Sequence, residues 1–510
     1  MMAGDWRQAR ALVAHFVVVL GCAWPVSARA WQTALADGAR VSVDATLRQS
    51  LDFRLVPANA AYFADINADD GDRAFDPGLV SARLSARAGV SVDQGDAGLR
   101  ISADGWYDPV YHARTANRSA ATFNPLSVSP DSFTAATRRQ EGADIELGDA
   151  NVHDRFDLAG RSLTLRIGRQ NIIWGESLFF AENGIAAGQA PIDSNAAARE
   201  RLAYSKDFFL PVGQASADWR LTDTIDVTAY WQFEWRRDRM PAVGSYFSTN
   251  DTLDVGGERV LYGPYYAIRR GADRTPGAPD QGGVAFRYTT DQINLGFYAL
   301  RYDAKSPTLV ISYPGYKQAP FYYADYPTGI DLYGASLGFY AGDTSIGAEI
   351  SLRQHMPLVT YGAGIARGTT LHGVLSATAT LPPNRFWDGA LLQGEFSANK
   401  RLLVDSGAAF LDPYRSQFAA GMRAVFTPQY FQVLPGLDMT VPIGIGSGLG
   451  GSSSIDAEQY GGGGDITVGV SGVYHAVWTA SLLGTYFFGG AYNQPLGDRH
   501  FVSVTLSRSF

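Results

Sequence analysis

An acidic run near the N-terminal end of the chain could bind a metal ion: Asp65, Asn67, Asp69 and Asp70 precede Gly71. Carboxylate and amide oxygens grouped beside a glycine turn suit a hard cation, so the run predicts a calcium site. Its spacing differs from that of an EF-hand loop. The alternative interpretation is a polar surface loop whose side chains bond their own backbone.

Catalytic chemistry has weaker support in the sequence. The six histidines beyond residue 30 show no spacing typical of a metal pair, and the chain contains no Walker phosphate loop. Cys22 is the only cysteine. We therefore expect no catalytic residue, no cofactor other than calcium, and no enzyme activity. The net charge of −8 argues against a nucleic-acid partner, which would require a basic domain.

Another motif, Trp174-Gly175-Glu176, follows a strand-like segment at 161–172. Two interpretations are open for it. Trp174 is either a tryptophan of a membrane-interface girdle followed by a turn, or part of a loop anchored inside a barrel by charge pairing.

The β-strands that hold these residues are predicted from the alternation of apolar and polar side chains along the sequence. Hydrophobic residues make up 46% of the 510 and charged residues only 18%, against roughly 25% in soluble domains. No apolar stretch after Leu20 is long enough for a membrane helix. In the final strand Val502, Val504, Leu506 and Phe510 share one face. This ending resembles the signal read by the barrel-assembly machinery, so Phe510 is the predicted assembly signal.

Eighteen candidate strands, with a range of 16 to 20, are predicted between residues 41 and 510, among them 224–236 and 435–446, and long connections alternate with short turns. This pattern is typical of a transmembrane antiparallel β-barrel of the outer-membrane type, an all-β fold with long extracellular loops and periplasmic chain ends. A soluble all-β protein is the alternative. We expect one barrel domain over 31–510, with the segments 108–143, 174–212 and 237–281 as candidates to fold partly into the lumen.

The first 30 residues have the pattern of a secretory signal peptide. Arg7 and Arg10 precede an apolar run, and small residues lead to a cleavage site near Ala30. A lipoprotein signal at Cys22 and a membrane-anchoring helix are the alternatives. The predicted location is the outer membrane of a Gram-negative bacterium, where membrane lipid surrounds the barrel.

Parity along the strands assigns the side chains that face the interior, because alternate residues of a strand point to opposite faces. The predicted lumen-lining residues are Arg83, Arg87, Arg100, Asp104, Asp218, Arg220, Asp226, Gln232, Glu234, Glu349, Arg353, Gln393, Glu395 and Arg423.

Several motifs together resemble one known family. They lie at 67–73 with Phe75 and Gly78, at 106–108 with Tyr111, and at 166–170, 174–177, 230–235 and 244–251. On these residues the chain resembles domain-of-unknown-function family 1302, outer-membrane proteins seen mostly in Pseudomonas-like bacteria. The resemblance implies no established activity. It implies that the protein acts beside a periplasmic lipid-carrier-like protein and an RND-type inner-membrane transporter as possible partners.

Three functions are compatible with this pattern. The first is a porin-like channel for small solutes, with a polar and wet lumen. The second is a conduit for lipid or hydrophobic compounds that works with the periplasmic carrier and the RND-type transporter. The third is a structural surface protein with a plugged lumen. An apolar patch inside the loops or a gap between strands would favour the conduit.

Overall fold

The computed structural model describes residues 31–35, 38–263, 265–277, 280–315 and 318–510. Eighteen antiparallel strands form one closed β-barrel, which is the fold that the sequence predicts. The predicted signal peptide lies outside the described residues. The strands are β1 (Arg40–Arg54), β2 (Gly78–Gln94), β3 (Ala97–Tyr107), β4 (Ala143–Leu158), β5 (Arg161–Gln170), β6 (Val212–Arg220), β7 (Ile225–Gln232), β8 (Gln281–Thr289), β9 (Ile293–Tyr302), β10 (Ile330–Ala341), β11 (Thr344–Leu358), β12 (Ala366–Leu381), β13 (Gly389–Ser406), β14 (Phe418–Leu434), β15 (Leu437–Thr440 and Ile443–Gly450), β16 (Gly464–Tyr474), β17 (Trp478–Phe488) and β18 (Phe501–Ser509).

The barrel closes between its first and last strands. β1 pairs with β18 from Thr46 opposite Ser509 to Arg54 opposite Phe501, and its other edge pairs with β2. Just beyond β18, Phe510 and Ala45 exchange backbone hydrogen bonds of 2.8 and 3.4 Å. Each barrel strand therefore has a hydrogen-bonded neighbour on both sides, which removes the exposed edges that open sheets carry.

Alternation along the strands separates two faces of the wall. In β7, Thr228, Tyr230 and Gln232 are buried, whereas Ala229 and Trp231 are exposed. The buried set contacts loops inside the barrel, and the exposed set lies on the outer surface, as parity predicts. An apolar outer face of this kind suits contact with lipid.

The connections differ in length at the two ends of the barrel. The turns at 95–96, 159–160 and 342–343 are short, and both ends of the barrel chain lie on the same side as these turns. The segments 55–77, 108–142, 171–211, 233–280 and 303–329 are long and lie at the opposite end. Alternating long and short connections were predicted and are present.

The long segments build a cap with its own small core. Four short strands in them, Arg259–Leu261, Ala267–Arg270, Thr308–Ser312 and Phe321–Asp325, form a separate sheet around Tyr322. Phe75, Tyr111, Phe133 and Tyr246 pack as a second cluster against the start of β18. Among the described residues, no helix combines the length and the apolar composition that a membrane span requires.

Several predicted strand bounds differ from the structure, and two of the differences have a local cause. The strand predicted at 224–236 ends at Gln232, because Trp235 donates its indole N–H to the Ala304 carbonyl in a neighbouring loop at 3.2 Å. The strand predicted at 435–446 is interrupted before Ile443, where Pro442 has no N–H to give to the ladder.

Candidate pore and its inward loop

Loop 171–211 lies inside the barrel and is held there mainly by two carboxylates of the inner wall. Glu349 on β11 accepts hydrogen bonds from the backbone N–H groups of Glu176, Ser177 (2.6 Å) and Ile185 (2.8 Å). The Glu349 carboxylate thereby holds the backbone of the loop by hydrogen bonds. Charge-assisted bonds of this type are stronger than neutral ones, so Glu349 fixes the position of the first part of the loop.

Glu395 on β13 continues the same attachment. It accepts backbone N–H bonds from Leu178, Phe179 (2.7 Å) and Phe180 (3.0 Å), and the Ser177 hydroxyl donates to it at 3.0 Å. Glu349 and Glu395 are only 6% and 3% exposed. Both predicted lumen residues are therefore occupied by the loop and are not free to meet a solute.

The Trp174-Gly175-Glu176 motif begins this loop. Trp174 is buried and packs on Tyr230 and Tyr298 of the inner wall, with ring centroids 5.2 and 5.7 Å apart. Gly175 has φ +99°, and a Cβ there would collide with the Glu349 carboxylate. Trp174 thus lies against the inner wall and not in an outer girdle, and the loop is anchored by a wall carboxylate that accepts backbone N–H groups, not by the predicted charge pairing.

Other predicted lumen residues hold the rest of the loop. Arg353 is fully buried and donates to the Glu182 and Gly184 carbonyls, both at 2.9 Å. Gln393 donates to the Tyr204 hydroxyl, and Gln232 donates to the Gln189 carbonyl. The loop is therefore attached to β7, β11 and β13, and it crosses the interior between them.

A buried ion pair network secures the far end of the loop. Arg423 on β14 bonds the Asp465 carboxylate at 2.5 Å and the Arg201 carbonyl at 2.7 Å, and Arg201 also bonds Asp465 at 2.6 Å. Strand parity assigns Arg423 to the lumen, but it missed Asp465 and Arg201. Asp465 lies at the very start of β16, where parity is hard to assign.

The opposite wall carries ion pairs that remain in contact with water. Arg87 and Asp104 are 2.6 Å apart, and their side chains are 68% and 31% exposed. Arg100 lies 3.5 Å from both Asp44 and Asp149. Arg83 differs, because its guanidinium stacks 4.6 Å above the Trp106 ring.

A second group of pairs lies on β6, β7 and β8, near the short turns. Asp218 accepts from Thr228 at 2.7 Å and lies 3.8 Å from Arg287. Arg220 and Asp226 are 3.5 Å apart.

Glu234 lies beyond the end of β7 and accepts from Arg169 at 2.8 Å, so it belongs to a loop junction rather than to the strand wall.

Acidic side chains from three loops collect at the mouth on the long-loop side. Glu182 and Glu458 are exposed to water, yet protein surrounds them within the mouth. The surrounding parts of the chain displace bulk water, which raises the pKa of Glu458 to about 7. The charge of neighbouring Asp456 adds to the shift. The same displacement of water by surrounding protein, and next the charge of Asp238, raise the pKa of Glu182. No sequence motif marks these residues.

Lys305 attaches another part of the loop. Its ammonium donates to the Ala187 and Gly188 carbonyls at 3.4 and 3.3 Å. Burial lowers the pKa of Lys305 to about 8, although Asp238 opposes the shift. The contact joins segment 303–329 to loop 171–211.

The acidic run is only partly assembled as predicted for calcium. Asp69 and Asp70 come together with Asp251 from segment 233–280, and their ligand atoms lie within 4.8 Å of one another. Asp65 instead accepts from the Asn67 N–H at 2.9 Å, and Asn67 accepts from the Leu261 N–H at 2.7 Å. Burial and the charge of a neighbouring carboxylate raise the pKa of Asp70 and of Asp251.

The chain also contains one Gly-x-Ser-x-Gly string, at Gly334, Ser336 and Gly338. A nucleophile elbow requires this string at a sharp turn between a strand and a helix. Here it lies within β10, and the Ser336 hydroxyl is 2.9 Å from the Tyr298 hydroxyl. The string is therefore part of the barrel wall.

The profile of a family described as "Protein of unknown function (DUF1302)" matches residues 11–510. No curated protein matches the chain in sequence. Among solved structures, OccAB1 of Acinetobacter baumannii is 12% identical with a TM-score of 0.45, covering 95% of this chain and 98% of that one. OccD3 (OpdP) of Pseudomonas aeruginosa is 11% identical with a TM-score of 0.43, covering 96% and 94%. The outer membrane channel DcaP of Acinetobacter baumannii is 10% identical with a TM-score of 0.39, covering 94% and 99%. These similarities are too low to carry over a function.

Proposed function

The chain belongs to the DUF1302 family of proteins of unknown function, and we propose that it is an outer-membrane channel for small polar solutes. The observation that carries the proposal is the contrast between two walls of one lumen. Glu349 and Glu395 hold loop 171–211 inside the barrel by accepting hydrogen bonds from seven donor groups of the loop. Arg87 and Asp104, across the barrel, remain in contact with water.

The size of the barrel supports passage of solutes. Barrels of 16 to 18 strands enclose an aqueous channel, and an inward loop narrows it without having to close it. Charged side chains of both signs along the open wall create a transverse field. We infer that such a pore favours polar solutes, because a wholly apolar solute gains nothing from that field and must displace water from the ion pairs.

The same reasoning supports the outer membrane as the location. An apolar outer face and long loops at one end are what a barrel needs in that membrane. Cleavage near Ala30 and recognition of Phe510 by the barrel-assembly machinery remain predictions and belong to this proposal.

The alternative, a conduit for lipid or hydrophobic compounds, has less support. Apolar side chains do lie inside the barrel, but Tyr298, Leu300 and Leu332 are buried against Trp174 and Ile185 and offer no free surface. Neighbouring strands pair around the described wall, which provides no side exit. The periplasmic lipid-carrier-like protein and the RND-type transporter would be partners only under this alternative.

Reconstitution of the purified full chain tests the proposal. In planar bilayers we expect discrete conductance steps, and in swelling assays we expect vesicles that contain the protein to admit small sugars and amino acids. Absence of conductance together with a lipid retained through purification would favour the conduit. Absence of both would favour a structural protein with a plugged lumen.

A further inference from the structure

We infer that Asp69, Asp70 and Asp251 form a binding site for a divalent, oxygen-preferring cation of the calcium class, which joins two long loops of the cap. Asp69 and Asp70 belong to segment 55–77, and Asp251 belongs to segment 233–280. This residue set differs from the acidic run itself, because Asp65 and Asn67 are committed to other contacts.

The first observation is that three carboxylates converge away from water. Asp69, Asp70 and Asp251 are 0%, 1% and 0% exposed. Their ligand atoms lie within 4.8 Å of one another. That distance matches the span across a single Ca²⁺, whose oxygen ligands each lie about 2.3–2.6 Å away.

The second observation is that two of these carboxylates have bare oxygens. Asp69 Oδ1 and Asp251 Oδ1 are buried and accept no hydrogen bond from the residues that the structure describes. The Thr122 hydroxyl lies beside Asp69, but it donates to the Ser119 hydroxyl at 2.8 Å. A buried carboxylate oxygen without a donor is costly, and a bound cation satisfies it directly.

The remaining oxygens of the cluster have partners that hold the carboxylates in place. Asp70 accepts from the Asn117 side chain and from the Asn124 N–H, both at 3.0 Å, and its own N–H donates to Asp251 Oδ2 at 3.0 Å. Neutral donors of segments 55–77 and 108–142 thus fix Asp70 and one oxygen of Asp251. Neutral donors orient the carboxylates but leave their charge uncompensated.

The charge balance points to a divalent ion. Arg73 is the basic residue bonded to the cluster, with its Nε 2.6 Å from Asp69 Oδ2. Arg499, close by, is bonded to Asp72 at 2.8 Å instead. Three carboxylates and one guanidinium leave two negative charges, which a single divalent cation neutralises.

The ligand set favours calcium over magnesium. The three carboxylates come from two separate segments and have no regular spacing along the chain. Mg²⁺ usually keeps several of its waters, whereas Ca²⁺ accepts irregular sets of protein oxygens. We therefore expect the site to select Ca²⁺.

Calorimetry on the refolded full-length barrel, freed of metal with EDTA and dialysed, tests the site. We expect one Ca²⁺ per chain and weaker binding of Mg²⁺. Asp251→Asn keeps an acceptor for the Asp70 N–H but removes a charge, and it should weaken Ca²⁺ binding about tenfold or more, because loss of even an outer-shell partner commonly costs that much. Asp69→Asn, measured in parallel, should have a similar effect.

Asp65→Asn is the matched control, because Asp65 lies in the same acidic run but outside the cluster. It should bind Ca²⁺ as the original chain does. Limited trypsin digestion provides a second readout, since Ca²⁺ should slow cleavage at Arg114 and Arg118 in the cap. No Ca²⁺ binding by the original chain, or equal loss of binding in Asp65→Asn, would overturn the inference. Neither outcome depends on whether the barrel conducts.

Discussion

The Cα of Gly175 faces the Glu349 carboxylate so closely that a Cβ on residue 175 would collide with both carboxylate oxygens. The contact joins the start of loop 171–211 to β11 and allows Glu349 to accept hydrogen bonds from the backbone N–H groups of Ser177 and Ile185, which follow Gly175 in the loop. A side chain at residue 175 would separate the loop from its anchor.

Gly175→Ala should therefore loosen the loop. The φ of +99° alone makes alanine unfavourable by about 1–2 kcal/mol, and the collision with Glu349 adds to that cost. We expect lower stability to urea in lipid vesicles and larger, noisier conductance. Gly342→Ala is the control, because Gly342 also has a positive φ of +62° but nothing lies within 4 Å of the position that an alanine methyl group would take there. Equal effects of the two substitutions would mean that backbone strain, not the anchor, is responsible.

The acidic mouth should make ion preference depend on pH. The pKa of Glu458 is raised to about 7 by its surroundings, and that of Glu182 is also raised, so both groups are largely neutral in mild acid and anionic above these values. Cation preference, measured as the reversal potential in a salt gradient, should increase as the pH rises from 6 to 9. Glu182→Gln with Glu458→Gln should flatten this dependence. An unchanged slope in that double variant would contradict the assignment.

The water-exposed pairs of the open wall should also set ion preference. Arg87→Gln together with Arg100→Gln removes the positive partners of Asp104 and Asp44, so the local potential becomes more negative and the pore should shift toward cations. Folding should change little, because exposed pairs of this kind contribute only about 0–1 kcal/mol each.

Arg114→Gln serves as the control for these substitutions, because Arg114 pairs with Asp131 in the cap and is 83% exposed. It should leave the reversal potential unchanged. A shift of similar size in the control would show that total charge, rather than the wall of the pore, governs selectivity.

Phe510 should matter for assembly more than for the finished barrel. Its backbone bonds to Ala45 close the seam beside β1, and the Arg508 guanidinium lies 4.6 Å above its ring. Deletion of Phe510 should reduce the heat-modifiable, membrane-integrated fraction, whereas Phe510→Tyr should preserve it. Full assembly of the deletion variant would contradict its role as the assembly signal.

The strand positions could be predicted from the sequence because each wall residue must face either lipid or the interior. Parity therefore assigned Glu349, Arg353 and Glu395 to the inner wall. It did not show what they bind, since their partners lie in a loop without periodicity, and Glu395 and Phe180 are 215 residues apart. For the same reason the acidic run did not reveal Asp251, which is 181 residues from Asp70.

Glu234 shows the limit of parity at a strand end. Alternation continues through the sequence to residue 235, but the strand stops at Gln232 because Glu234 accepts from the Gly213 N–H at 2.7 Å and from Arg169. Side-chain contacts of this kind override a local pattern.

The single-channel conductance of Glu349→Gln combined with Glu395→Gln shows whether loop 171–211 narrows the channel. Glutamine conserves volume but weakens the charge-assisted bonds, each worth about 1.5–3 kcal/mol, that hold loop 171–211. Glu176→Gln is the control, because it changes a carboxylate on the same loop that is not one of these anchors. We expect larger conductance steps for the double variant and unchanged steps for the control. Steps of the original size in a correctly folded double variant would show that loop 171–211 does not narrow the channel.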